Sequence, residues 1–434
     1  MNASNRIFRT FPVDNTELIK WQMLNWCNRF NICAFLDNHR YQLPGHRYEC
    51  LAGCGSLASV QAPSGQALEQ LQAFLDGQTD WIFGHLSYDL KNETEELVSR
   101  HTDRIGFPDL QFFVPRYVLQ LNEQALTIGT TTGDHEAVWQ QIRQEQVASG
   151  SNTPPLEIRE RMSREAYLAA IRQVQQRILR GDCYELNYCM EYYAQAPALE
   201  PQAVYRSLTC LSPNPFSAFY RLGSSFLLCA SPERFLKREG DQLLSQPIKG
   251  TERRNLADPL ADEQLRQELL HSPKERSENV MVVDLVRNDL SRVCTRGSVT
   301  VDELFGIYSF PQLHQMISTV RGSLLPGTRF TDIIRATFPM GSMTGAPKRR
   351  VMELIDELEQ SRRGLFSGAV GYITPAGDFD FNVVIRSILY NQATGDLSYM
   401  VGSGITWYAD PEKEYEECRL KAAAMQSILQ GATC

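Results

Sequence analysis

The sequence has no surplus of positive charge and no long apolar run, and both absences restrict what the chain can do. Its 434 residues carry a formal net charge of −8. A basic surface for nucleic acid or an anionic membrane is therefore not expected. No apolar run reaches the ~18 residues of a membrane-spanning helix, and no signal peptide opens the chain. We expect a cytoplasmic protein without nucleic acid or membrane as a partner.

The cysteines also lack the arrangement of a metal site or a disulfide framework. Eleven are scattered along the chain, an odd count that does not suit a secreted disulfide-stapled fold. The close pairs Cys50/Cys54 and Cys183/Cys189 do not have the spacing of zinc ligands. Reduced structural thiols are the expectation.

A Ser-, Gly- and Pro-rich stretch at 146–156 divides the sequence. Residues 1–150 are interpreted as an N-terminal subdomain, and residues 158–434 contain all the candidate chemistry. Apolar spacing and capping residues predict three helices, over 164–180, 272–293 and 410–429. Apolar, β-rich runs predict three strands, over 366–374, 382–390 and 397–405, with a hairpin turn at 375–378. The expected fold class is α+β, with large antiparallel sheets packed against helices.

Two predicted helices begin with paired carboxylates. Glu275 and Glu278 lie three residues apart, as do Glu414 and Glu417, so each pair shares one helix face. If the two helices faced each other, four carboxylates could hold a hard cation such as Mg²⁺. The alternative is a solvated helix start, because acidic residues favour any first turn and Glu275 also fits a capping box.

Lys249 and Glu233 are the candidates for catalytic side chains. Lys249, between Ile248 and Gly250, is either an exposed turn residue or an amine whose pKa is lowered by burial until it becomes nucleophilic. Glu233 could donate or accept a proton, and the alternative is a surface ion pair with Arg234 or Arg238.

Arg386 and a short glycine motif are candidates for anion binding. Arg386 interrupts the apolar run NVVIRSIL, and an arginine in a buried strand needs a carboxylate from the protein or from a ligand. Gly402, Ser403 and Gly404 end the next predicted strand, where their backbone amides could meet an anion.

The ordered motifs from about 163 to 429 together resemble the chorismate-utilising enzymes. They are GDCYELN, SPERF, PIKGT, ENVMVVDLVRNDL, GSMTGAPK, GAVGYI, VVIRS, GSGI and a final Glu-x-x-Glu. The resemblance implies an anthranilate synthase component I-like, chorismate-binding fold. Lysine in PIKGT is similar to the branch that aminates chorismate at ring carbon 4 on the route to 4-aminobenzoate and folate. Anthranilate synthases have alanine there.

The resemblance also implies roles for the candidate residues. Lys249 would attack ring carbon 2 as the 4-hydroxyl leaves with a proton from Glu233, and ammonia would then add at carbon 4. Mg²⁺ held by the four glutamates would anchor the ring carboxylate. The remaining implied substrate-binding groups are Arg386, Tyr372, Thr251, Lys421 and the amides of Gly402, Ser403 and Gly404.

The chain departs from its relatives at two informative positions. Gln315 stands where the family commonly has histidine, and His314 lies one position earlier; Glu185 stands where relatives often have glutamine. Because no Gly-x-Cys-x-Gly nucleophile motif is found, the resemblance implies a separate glutamine amidotransferase subunit that supplies ammonia. Two alternatives stay open: an anthranilate or isochorismate-type synthase, and a non-catalytic chorismate-binding subunit.

Overall fold

The computed structural model describes residues 6–41, 48–147, 154–310 and 313–432. Within these ranges the strands are β1 (Ile7–Pro12), β2 (Ile32–Asp37), β3 (Cys50–Cys54), β4 (Ala58–Ala62), β5 (Ile82–Leu86), β6 (Leu110–Val114), β7 (Tyr117–Leu121), β8 (Ala125–Thr130), β9 (Arg159–Glu160), β10 (Glu185–Gln195), β11 (Phe216–Leu222), β12 (Ser225–Ser231), β13 (Arg234–Glu239), β14 (Gln242–Gln246), β15 (Ile248–Arg253), β16 (Thr300–Ser309), β17 (Leu313–Ser323), β18 (Gly345–Ala346), β19 (Ala369–Ile373), β20 (Phe379–Asn382), β21 (Ser387–Asn391) and β22 (Asp396–Ile405).

The α-helices of the same ranges are α1 (Thr16–Cys27), α2 (Ala67–Asp76), α3 (Lys91–Thr94), α4 (His135–Gln144), α5 (Arg164–Leu179), α6 (Pro201–Leu211), α7 (Pro259–His271), α8 (Pro273–Ser291), α9 (Phe330–Thr337), α10 (Lys348–Leu358) and α11 (Pro411–Leu429). Short 3₁₀ turns lie at Tyr88–Leu90 and Gly341–Met343.

Two large antiparallel sheets form the framework, which confirms the predicted α+β class. The first has the order β1-β8-β7-β3-β2-β11-β12-β21-β22-β10-β18, with β9 on β10. The second has the order β15-β17-β14-β13-β20-β19-β5-β6-β4, with β16 on β17. Strands from both sides of 148–153 pair within each sheet, as β2 does with β11 and β5 with β19. The division at about residue 150 stays a prediction about sequence segments.

The three predicted helices are confirmed as α5, α8 and α11, each with its expected cap. Ser163, Ser272 and Asp410 have extended backbones, and their side chains accept hydrogen bonds from first-turn amides. Such a cap satisfies one of the donors that a helix start leaves without a partner. The capping residues Ser272 and Asp410 therefore fix where α8 and α11 begin, and with them the positions of the two glutamate pairs.

One predicted strand is wrong, and the difference concerns Arg386. The hairpin β19–β20 forms as expected, with Ile373 opposite Phe379. The run expected as one strand over 382–390 instead ends at Asn382 and resumes at Ser387. Its two parts belong to different sheets, since β20 pairs with β13 and β21 with β12. The chain crosses between sheets here, and Arg386, with a φ of 52°, lies in the crossing.

The core consists of two apolar clusters. One packs the first sheet against α1, α5 and α11, and the other fills the space between the sheets. The approach of the sheets is close at Gly53 on β3, where an added Cβ would lie 2.5 Å from the ring of Phe83 on β5. Only a residue without a side chain fits there at this packing distance.

Two composition-based expectations can be compared with the structure. No helix among the described residues is long and apolar enough to cross a membrane. Nine cysteines are buried free thiols, as expected. Cys210 differs because it is disulfide-bonded.

Candidate active site

A buried ion pair between Lys249 and Glu185 lies where the two sheets meet. Lys249 is on β15 of the second sheet, and Glu185 opens β10 of the first. The Nζ of Lys249 donates to Oε1 of Glu185 over 2.7 Å. The two side chains are 10% and 2% exposed, so Lys249 is not a solvated turn residue. The pair brings one end of each sheet into a common site.

The expectation that burial would lower the pKa of Lys249 is wrong for this set of charges. Burial does act in that direction, but the carboxylates of Glu185 and Glu278 outweigh it. The pKa of Lys249 consequently lies above its ordinary value. The amine is held as an ammonium, and it becomes nucleophilic only after a proton has been removed.

Glu233 has the environment of a proton donor. Glu233 lies in the two-residue connection from β12 to β13, and only 4% of the residue is exposed. Burial raises its pKa to about 7, against the opposing effects of Ser342 and Lys249. The alternative ion pair with Arg234 does not form, because that guanidinium binds Asp380 at 2.9 Å. A carboxyl that stays protonated near neutral pH can deliver a proton to a leaving group.

The two glutamate pairs are brought together around the ammonium of Lys274. Its Nζ lies 2.9 Å from Glu414, 3.9 Å from Glu278 and 4.0 Å from Glu417. Glu275 belongs to the same group, because its Oε2 lies 3.0 Å from the Cβ position of Gly250 on β15, next to Lys249. Helices α8 and α11 thus present all four carboxylates to one space.

Several carboxylate oxygens in and beside this acidic group are buried without a hydrogen-bond partner. Glu185 Oε2, Glu278 Oε1 and Glu414 Oε2 are buried side-chain oxygens without a hydrogen-bond partner. Such oxygens are costly unless a donor or cation satisfies them. In the described part of the chain, no three His, Cys, Asp or Glu side chains are arranged ready to ligate a metal. The donor set still fits a hard cation, because carboxylate oxygens surround a position that a cation already occupies.

The pKa is shifted at Glu275, Glu278 and Glu417, and the direction of the shift depends on their surroundings. Burial raises the pKa of Glu278, and it also raises the pKa of Glu275. Burial opposes ionisation of Glu417 as well, but Lys421, Lys274 and Lys249 lower its pKa to about 2. Glu417 therefore stays ionised throughout the neutral range.

The glycine motif on β22 lies against the Lys249–Glu185 pair. A Cβ on Gly404 would lie 2.6 Å from Oε1 of Glu185 and 2.8 Å from Nζ of Lys249. Lys421 donates to the carbonyl of Gly402 over 2.9 Å and pairs with Glu417 at 2.7 Å. The bare backbone of Gly404 thus leaves room for the reactive side chains.

Arg386 carries a charge that the protein does not neutralise directly. Burial lowers the pKa of Arg386, and Glu417 is the carboxylate that opposes this effect. Among the residues that the structure describes, none forms an ion pair with its guanidinium. A desolvated guanidinium without a carboxylate partner suits a ligand anion.

Other sequence-predicted residues lie apart from the pair or carry no contact that ties them to it. Ser403 contacts the hydroxyl of Tyr167 at 3.2 Å, and Thr251 is exposed on β15. Tyr372 packs against Trp81 and Phe83, at ring-centroid distances of 5.9 and 6.2 Å. Its strand, β19, is five steps from β15, the strand of Lys249, in the order β15-β17-β14-β13-β20-β19. At about 4.8 Å per step, the two strands are roughly 24 Å apart along the sheet.

Tyr372 instead lines a cavity of about 70 Å³ between the sheets, together with Asp37, Glu49 and Asp380. The structure therefore does not bring Tyr372 together with Lys249. The tyrosine belongs to the packing between sheets and to this cavity.

His314 and Gln315 point to opposite faces of β17, as neighbours on a strand do. His314 is engaged with Ser309 at 2.9 Å and with Asp262 at 3.1 Å, which leaves it no free nitrogen. Gln315 pairs in register with Thr251, and its buried Oε1 has no hydrogen-bond partner.

Two participants were missed in the sequence. Glu185 was recognised as a departure but not as the partner of Lys249, 64 positions away. Lys274 was not considered, although its i,i+4 spacing to Glu278 places both on one face of α8. That spacing was the available signal.

Known proteins resemble this chain over most of its length. The family described as chorismate binding enzyme matches residues 43–427. Aminodeoxychorismate synthase component 1 of Klebsiella aerogenes is 39% identical over 338 residues, which cover 77% of this chain and 74% of that protein. An anthranilate synthase component I-like protein of a Synechocystis species is 37% identical, over 81% of this chain and 73% of the relative.

Among solved structures, anthranilate synthase component I of Streptococcus pneumoniae superposes with a TM-score of 0.76. It is 24% identical, and the match covers 89% of this chain and 93% of that one. This likeness shows the shared fold. The chain belongs to the chorismate binding enzyme family. Several of its curated relatives, at 34–39% identity, are named aminodeoxychorismate synthase component 1.

Proposed function

We propose that this chain is the chorismate-aminating component of an aminodeoxychorismate synthase. It converts chorismate and ammonia into 4-amino-4-deoxychorismate, the precursor of 4-aminobenzoate. The observation that carries this proposal is the buried ammonium of Lys249, 2.7 Å from Glu185 and beside an acidic group on two helices. A lysine in that place offers a covalent route that a chain with alanine there does not have.

Lys249 is the nucleophile in the proposed reaction. Its proton must leave before attack, and Oε1 of Glu185 is the acceptor at hydrogen-bond distance. The amine then bonds to ring carbon 2 while the 4-hydroxyl departs. Ammonia next bonds to carbon 4, and the lysine amine is expelled from carbon 2. Covalent capture replaces one difficult displacement by two easier ones.

Glu233 supplies the proton that the departing hydroxyl requires. Its pKa near 7 keeps much of the carboxyl protonated at neutral pH. Proton donation from a buried carboxyl to a leaving oxygen contributes typically 10²- to 10⁴-fold to a rate. Glu417 cannot share this role, because its carboxyl stays ionised and has no proton to donate.

Glu275, Glu278, Glu414 and Glu417 would hold Mg²⁺, directly or through water. When bound, the ion neutralises the carboxylates and attracts the ring carboxylate of the substrate. The chain's own contribution is to assemble these side chains from two helices whose starts are fixed by capping residues.

The enolpyruvyl carboxylate of chorismate would be received by Arg386 and by the backbone around Gly402, Ser403 and Gly404. Arg386 offers a desolvated guanidinium that no carboxylate of the described chain pairs with. Lys421, bonded to the Gly402 carbonyl and to Glu417, links this backbone to the acidic group. The substrate is thus a dianion held by local cations in a chain of net charge −8.

Ammonia would come from a glutamine amidotransferase subunit, as the component 1 names of the relatives suggest. Free ammonium should substitute for that partner in solution. The experiment is to incubate the chain with chorismate, ammonium and Mg²⁺ and to identify the product by mass and fluorescence. Aminodeoxychorismate is not aromatic. A fluorescent anthranilate product would favour the anthranilate synthase alternative, and no turnover by a folded, metal-loaded chain would favour a non-catalytic subunit.

A further inference from the structure

Lys274 occupies the centre of the acidic group in a way that the reaction does not require. Its ammonium lies within 4.0 Å of carboxylate oxygens from Glu278, Glu414 and Glu417, on two different helices. It donates to Glu414 over 2.9 Å. No other described lysine or arginine pairs with Glu414 or Glu278. Lys274 is thus the direct counter-cation of Glu414, and it shares the nearby carboxylate of Glu278 with Lys249.

The position of Lys274 is an unfavourable one for its charge. It is the second residue of α8, where the helix dipole disfavours cations. The helix dipole therefore does not explain its placement, although the i,i+4 spacing puts it on the same face of α8 as Glu278. The carboxylates of Glu278 and Glu414 explain it, since both are buried beside like charges.

Lys274 differs from the other cations of the site in its access to solvent. Its side chain is 43% exposed, whereas that of Lys249 is 10% exposed. A flexible lysine stem anchored on the first helical turn can turn its ammonium outward without unfolding anything. The carboxylates cannot follow, because Glu278 and Glu414 are 7% and 2% exposed.

A divalent cation and this ammonium compete for the same oxygens. Glu278 Oε1 lies 3.9 Å from the Lys274 ammonium, and Glu414 Oε2 belongs to the carboxylate that accepts from it; both oxygens are buried without a hydrogen-bond donor. A metal that bonds to carboxylate oxygens at ~2 Å would stand in direct repulsion with an ammonium left in that space. The two cations exclude each other.

We propose that Lys274 is a built-in counter-cation that holds the glutamate group together without metal and is displaced when Mg²⁺ binds. Metal binding to this chain is then an exchange of one cation for another. Lys274 acts as a positioning residue that lowers the affinity for Mg²⁺ and keeps the metal-free site folded. This inference rests on the metal site of the proposed function, but its test needs neither chorismate nor turnover.

The test is calorimetric titration of the full chain with MgCl₂, using Lys274→Met and Lys413→Met. Lys413 is an exposed lysine next to Glu414 in sequence, so its replacement removes the same charge from the first turn of α11. With no competing charge-assisted hydrogen bond, Lys274→Met should bind Mg²⁺ about tenfold more tightly. Lys413→Met should bind within about twofold of the wild type, as expected for a screened surface charge.

Thermal unfolding with and without Mg²⁺ tells whether Mg²⁺ displaces the Lys274 ammonium or whether Lys274 only forms a structural salt bridge. The exchange predicts that Lys274→Met is destabilised without metal and recovers when Mg²⁺ is saturating. A structural salt bridge alone predicts the same loss in both conditions. Equal losses, or unchanged or weaker Mg²⁺ binding, would overturn the inference. Lys274→Gln serves as a second variant if the methionine variant does not fold.

Failure of this inference can be distinguished from failure of the proposed function. If the wild-type chain binds no Mg²⁺ at all, the exchange is refuted together with the metal site. The identity of the product formed from chorismate and ammonium is then still decided by mass. If the wild type binds Mg²⁺ but Lys274→Met binds no more tightly, the metal site stands and only the exchange is refuted.

Discussion

Lys249 on one sheet and Glu185 on the other form a buried ion pair of 2.7 Å, although 64 positions separate them in sequence. The pair joins the strand that carries the PIKGT motif to the strand that begins GDCYELN. It also sets the protonation of the candidate nucleophile, because Glu185 raises the pKa of Lys249.

Replacing Lys249 by alanine should abolish a covalent adduct with chorismate. The wild-type chain, given chorismate and Mg²⁺ without ammonia, should gain the mass of chorismate less one water, since the 4-hydroxyl leaves on attack. Intact-protein mass spectrometry measures this gain. Lys413→Ala is the control and should form the adduct as the wild type does. Equal adduct formation by Lys249→Ala would remove Lys249 from the mechanism.

Glu185→Gln should lower the pKa of Lys249. The carboxylate stabilises the ammonium, and the neutral amide does not, so the variant amine should react with an acylating reagent at lower pH than the wild type does. Peptide mapping of Lys249 acylation against pH measures the shift.

The same substitution should reduce the free energy of unfolding by about 1–3 kcal/mol at neutral pH, as expected when a charged hydrogen bond is lost. The sign follows from the raised pKa of Lys249 in the folded chain. The ion pair stabilises the fold fully at any pH below the ordinary pKa of lysine, and this stabilisation is lost as the pH rises through the raised pKa. Urea unfolding measures it. A Lys249 acylation profile unchanged from the wild type would show that Glu185 does not control the amine.

Glu233 should impose a loss of activity as pH rises. Its pKa is raised to about 7, so the proton needed by the leaving hydroxyl is present below pH 7 and is lost above it. We expect kcat/KM for chorismate to fall about tenfold per unit well above that pKa. Total ammonium must be adjusted so that dissolved ammonia stays constant across the profile.

Glu233→Gln is the matched variant for this profile. It keeps the shape of the side chain and removes the proton, so activity should fall about 10²- to 10⁴-fold and the alkaline limb should disappear. Retention of that limb in Glu233→Gln would assign the pH dependence to another group.

Glu417→Gln should weaken binding of Mg²⁺ about 10- to 100-fold. The pKa of Glu417 is about 2, so the substitution removes a full negative charge at any assay pH. Glu416→Gln is the control on the same helix, because Glu416 is exposed and pairs with Arg419 at 3.5 Å. Equal Mg²⁺ titrations for the two variants would exclude Glu417 from the metal site.

Gly404→Ala should impair catalysis while leaving the fold intact. Its new Cβ would lie 2.8 Å from the Lys249 amine, which must move by an appreciable fraction of an ångström. A displacement of this kind costs up to about a hundredfold in rate. The control is Gly77→Ala, whose nearest neighbour lies 3.5 Å away. Wild-type rates for Gly404→Ala would show that the pair tolerates displacement.

Local sequence signals predicted the helices well, because their causes are local. Ser163, Ser272 and Asp410 cap α5, α8 and α11 by contacts within three residues. The i,i+3 spacing of the glutamates follows from the same helices. These features require no knowledge of the rest of the chain.

The remaining features depended on which distant segments meet. The run NVVIRSIL is largely apolar and β-rich on both sides of Arg386, so its composition does not indicate that its halves join different sheets. The protonation of Lys249 could not be predicted without its contact to Glu185. Tyr372 was placed by resemblance alone, whereas the structure has it lining the cavity with Asp37, Glu49 and Asp380.

The interruption at Arg386 has a mechanical consequence. The residue lies in the four-residue step, 383–386, by which the chain passes from β20 in one sheet to β21 in the other. An anion bound to its guanidinium would restrain the connection between β20 and β21, and so would stabilise both sheets where they are joined. Ligand occupancy should therefore slow backbone hydrogen exchange in β20 and β21 together, so that the two layers report a single binding event.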